Sequence, residues 1–145
     1  MNVDDPPDEF ARERATDLPA AEFERELLRT PFERGGRELG VGIDCAGVAR
    51  AILARAGVEF PDPWDVLAQQ WRKGQLDAES IMPADWYRLP AAAPLRNLDL
   101  AFLDAERLSV GVVLGGHLWT ATEAGGVVRL PVSRCAVAQA WRRAP

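Results

Sequence analysis

The sequence predicts an α+β fold, with helices first and an antiparallel sheet after them, and three observations carry this. Apolar residues recur at helical spacing up to Gly57, most clearly at Val48, Ile52, Leu53 and Ala56. From about residue 97 the period changes to short runs rich in valine and leucine, which read as strands. Gly115-Gly116 and Gly125-Gly126 fall between those runs, where a hairpin turn needs residues that tolerate positive φ. Helical segments followed by strands in a chain of 145 residues are the α+β pattern.

In chain order, residues 1–17 are acidic and polar, with Pro6 and Pro7, and are expected to form a flexible arm. Asp17-Leu18-Pro19 opens a first helix, with Asp17 as cap and Pro19 in the first turn. Phe23, Leu27 and Leu28 form its apolar face, and Thr30-Pro31 ends it, because the residue before a proline avoids the helical region. The glycine-rich residues 31–43 read as a loop. Asp44 caps a second, buried helix, and Gly57 stops it. Trp64 to Arg72 reads as a third short helix, and residues 73–94 as irregular. Strands follow at 98–103, 110–114, 118–122 and 127–132, and Ser133 to Trp141 closes the chain as a strand or a short helix.

Composition narrows the function. Hydrophobic residues make up 48% and charged residues 27%, which suits one globular core over residues 18–145. The net charge of -5 and the lack of a basic stripe argue against nucleic acid as a partner. The longest apolar stretch, Leu108 to Leu118, is too short for membrane insertion, and no secretory signal is expected at the N-terminus. Charge is polarised: nine acids fall in the first 26 residues, and none follows Glu123, where Arg129, Arg134, Arg142 and Arg143 stand. Cys45, Cys135 and His117 are the only Cys and His residues, too few for a structural zinc site, so neither metal nor cofactor is expected. A Cys45–Cys135 disulfide stays open; without a secretory signal the default is two thiols.

Gly42-Ile43-Asp44-Cys45-Ala46-Gly47-Val48 is the most informative segment. Cys45 falls in the first turn of the second helix, where unpaired amides and the helix dipole favour a thiolate. Gly42 and Gly47 leave room for a substrate backbone to approach. A lone Cys in an apolar helix is also a common small core residue, so both readings stand at this point. Gly40-x-Gly42 is a poor dinucleotide loop, since no strand precedes it and Cys45 occupies the place of the third glycine.

The wider pattern resembles the NlpC-type, papain-like cell-wall cysteine peptidases. Thr30-Pro31-Phe32-x-x-Gly35-Gly36, Gly42-x-Asp44-Cys45-x-Gly47-Val48 and Val110-Gly111-Val112-Val113-Leu114-Gly115 carry the resemblance, over about residues 28–132. Gly57-Val58-Glu59-Phe60-Pro61-Asp62 is similar to the versions found in bacteriophage tails, and Leu98-Asp99-Leu100 resembles the family's Gly-Asp step with Leu98 in place of the glycine. The resemblance implies a papain-like fold, in which the Cys-bearing helix packs on the antiparallel sheet. It implies Cys45 as nucleophile, a His at the position of Ser109, a polar residue that orients it at Thr120 or Thr122, and a tyrosine at the position of Phe32.

Cys45 has the expected chemistry, Ser109 and Phe32 do not, and Thr120 or Thr122 could hydrogen-bond but has no imidazole to hold. A serine hydroxyl titrates far above neutral pH and cannot take the thiol proton. His117 follows the hairpin turn, and seven strand residues span roughly 20 Å against a hydrogen-bond reach of ~3 Å; it reads as a solvated turn histidine. The expectation is a catalytically inactive NlpC-like domain built into a phage tail tip, baseplate or related injection machine. Other tail or baseplate proteins would then be its partners, in the virion tail and in the bacterial cytoplasm before assembly. Two alternatives are a cysteine endopeptidase or amidase that cleaves peptidoglycan peptides, and a binding module that holds such peptides uncut.

Overall fold

Phe23 and Leu27 lie one helical turn apart and are both buried, which fixes the inward face of helix α1, Ala20–Arg29. The computed structural model describes residues 18–60, 82–103 and 109–145. Helix α1 starts later than the sequence suggests. Pro19 stands at the cap position without a side-chain cap bond, and its carbonyl takes the first helical hydrogen bond, from Phe23 N at 2.9 Å. Asp17 and the arm at 1–17 lie outside the described residues, as does the expected helix at 64–72. Leu28 is exposed rather than on the buried face, because it follows Leu27 by 100° around the helix.

Residues 31–43 are more ordered than a loop. Strands β1, Arg37–Glu38, and β2, Gly42–Ile43, pair antiparallel as a two-stranded ribbon. Val41 N donates to Glu38 O (3.2 Å) across a turn whose third residue, Gly40, has φ 83. Glycine suits that position because it adopts positive φ readily. Helix α2, Cys45–Arg55, follows, with Val48, Ile52 and Leu53 buried as their spacing predicts. It ends in paired bonds, Val58 N to Leu53 O (2.9 Å) and Gly57 N to Ala54 O (3.0 Å), with Gly57 at φ 74. Arg55 ties the two helices, its guanidinium 4.9 Å from the Phe23 ring centroid and bonded to the Leu18 carbonyl.

Six strands form the antiparallel sheet: β3 Trp86–Arg88, β4 Leu100–Leu103, β5 Ser109–Leu114, β6 His117–Thr122, β7 Gly126–Pro131 and β8 Val137–Arg143, in the order β3-β8-β4-β5-β6-β7. The α+β class is therefore as predicted. Strand β3 lies inside the stretch read as irregular; three residues between prolines are too few to show a period. Its existence depends on β8, with which it pairs from Trp86↔Arg143 to Arg88↔Trp141. The closing segment, read as a strand or a short helix, is mostly strand: β8 follows a 3-10 turn at Val132–Arg134. The interior of β5, from Val110 to Val113, is buried without alternation, so both faces of that strand are covered.

The chain divides into two compact units, Met1–Phe60 with Thr120–Val128, and Pro61–Trp119 with Arg129–Pro145. In the second, Ala101, Val113 and Leu118 form a core against which Leu95, Leu103, Val132 and Cys135 pack. Gly111 is a packing requirement, since a Cβ there would lie 2.6 Å from the Leu118 side chain. Leu98 precedes β4 with φ 74 and donates its N–H to Val113 O at 2.7 Å. Asp99 is fully buried and grips Arg142 through two bonds, Nε to Oδ1 at 2.8 Å and Nη2 to Oδ2 at 2.7 Å. Arg96 N also donates to this carboxylate at 2.8 Å. The bonds to Asp99 hold the Arg142 guanidinium pKa above its ordinary value, so it stays protonated.

Truncating Ile52 or Leu53 to Ala is expected to cost ~2–5 kcal/mol, as for other buried aliphatic side chains, measured by urea or thermal unfolding. Leu98→Gly and Leu98→Ala remove the same atoms beyond Cβ, so their difference isolates the backbone strain. The glycine variant should be more stable than the alanine one by about 1 kcal/mol. Equal midpoints would show that residue 98 does not need the left-handed conformation in solution.

Candidate functional site

Asp44 organises the segment that carries Cys45. Its backbone is extended, so the side chain turns back over the first turn of α2, where Oδ1 accepts from Gly47 N at 2.8 Å. The same carboxylate accepts from Arg37 Nη1 at 2.6 Å and from Gly35 N at 3.1 Å, and Asp44 N donates to Gly36 O at 3.1 Å. The ion pair is well shielded, with side-chain exposures of 19% for Arg37 and 9% for Asp44. Arg37 was not singled out in the sequence. Nothing in the local spacing marks it, because its role arises when the β1–β2 ribbon folds back on the helix.

Cys45 begins α2, at the predicted position, and is buried at 8% exposure; neither it nor Cys135 is in a disulfide. The glycines around it do not leave room for a substrate, contrary to the sequence reading. A Cβ on Gly47 would lie 2.6 Å from Gly36 O and 3.3 Å from Arg37 Cα. One on Gly42 would meet the Glu33 side chain, with its Cβ at 2.8 Å. The space is taken by the chain's own residues 33–37.

The structure gathers several of the other predicted positions into the first unit. Phe32, half-buried, forms a parallel bridge with Ile43, two residues before Cys45. Arg34 bonds Glu123 at 2.7 Å, so the Phe32 segment meets the turn after β6. On that turn Thr122 Oγ1 accepts from Gly125 N at 3.0 Å, which commits its hydroxyl to local structure. Thr120, by contrast, is 2% exposed, the better placed of the two for an interior polar role.

Ser109 belongs to the second unit. It heads β5, half-exposed, opposite Leu103 of β4. His117 pairs with Leu114 at the other end of β5, about 17 Å along the strand from Ser109. Its Nδ1 lies 3.1 Å from Gly115 O, a turn contact. Cys135 is no substitute nucleophile: burial pushes its thiol pKa up, and its Sγ donates to Pro131 O at 3.4 Å. Among the described residues no three His, Cys, Asp or Glu side chains gather as a metal site would require. No helix among them is long and apolar enough to cross a membrane. No family model matches the chain, and no curated protein matches it.

Asp44→Ala removes the helix cap and the partner of Arg37 together. The expected loss is about 3 kcal/mol, from a cap and a shielded charged hydrogen bond. Chemical denaturation measures it, and a loss below about 0.5 kcal/mol, the size of an ordinary surface substitution, would deny Asp44 its organising role.

Proposed function

We propose that this chain is a structural component of a bacteriophage tail tip or baseplate, or of a related injection machine. On this reading it is built on a papain-like, NlpC-type domain that lacks peptidase activity. The supporting observation is the chemistry at the head of β5. Ser109 stands where a thiol peptidase of this type needs its base, and the chain's single histidine is at the far end of that strand, bonded to a turn carbonyl. On this reading Cys45 is a buried residue at a helix start. The left-handed backbone at Leu98, in the place of the family's glycine before Asp99, agrees with the same resemblance.

The assembly role is supported by the phage-like segment from Gly57 to Asp62 and by the ends of opposite charge. Other tail or baseplate proteins are then the partners, in the virion tail and, before assembly, in the bacterial cytoplasm. No role for nucleic acid, membrane insertion or a cofactor is part of this reading. A second reading, a peptidase or amidase acting on peptidoglycan peptides, is favoured only by the position of Cys45 in the first turn of α2.

The purified protein should not hydrolyse peptidoglycan peptides, since general-base help is typically worth ~10²–10⁴-fold in rate. Ser109→His should restore measurable turnover if its ring reaches the thiol. Robust turnover by the native chain, abolished by Cys45→Ala, would establish the peptidase reading. Mapping the protein in purified virions tests the location, and its absence from particles would refute it.

A further inference from the structure

We draw no further inference here: the strongest candidate, the cleft of about 420 Å³ beside strand β8, lined by Leu89, Pro90, Leu95, Val132 and Val137, is open only among the described residues, and nothing in the structure shows what covers it.

Discussion

The Asp44 carboxylate is the point on which the first unit turns. One oxygen serves both the Gly47 amide of α2 and the Arg37 guanidinium, and the other takes the Gly35 amide. A helix start, a ribbon and the loop before it are thus fixed by one buried side chain. Shielding strengthens each of these bonds and makes the loss of any partner costly. The glycines complete the arrangement, because Gly47 and Gly42 admit the chain's own residues 33–37 where a side chain would collide.

A second buried carboxylate does the same work in the other unit. Asp99 joins β8 to the turn before β4 through Arg142 and Arg96, and Leu98 accepts a left-handed conformation to let the turn close. Both carboxylates belong to segments that carry the resemblance to cell-wall peptidases. The residues that make the sequence look like a peptidase are therefore those that hold its folded form. On the proposed reading the motif has a structural use apart from the thiol, since losing Asp44, Gly47 or Asp99 would cost stability.

The candidate site was legible unevenly. Cys45 at a helix start followed from Asp44 and the apolar spacing behind it, both local signals. Thr120 and Thr122 differ in burial, which no local window contains: Thr120 is buried and Thr122 is exposed, its hydroxyl accepting from Gly125 N. The room expected beside Gly42 and Gly47 was an error of the same kind: a glycine marks a close approach, but the sequence does not say by what.

By itself the sequence determined the elements whose information lies within one or two turns of chain: α2 with its cap and its glycine stop, the apolar runs of β4 to β7, and the glycine pairs between them. Tertiary structure decided the rest. Strand β3 exists because Trp86–Arg88 meets β8 more than fifty residues later, and β8 lies between β3 and β4 because Asp99 and Arg142 find each other across 43 positions. Backbone pairing and buried ion pairs at such separations are stabilised by burial that no local window contains. Patterning therefore fixes the elements, and only the packed core fixes their neighbours.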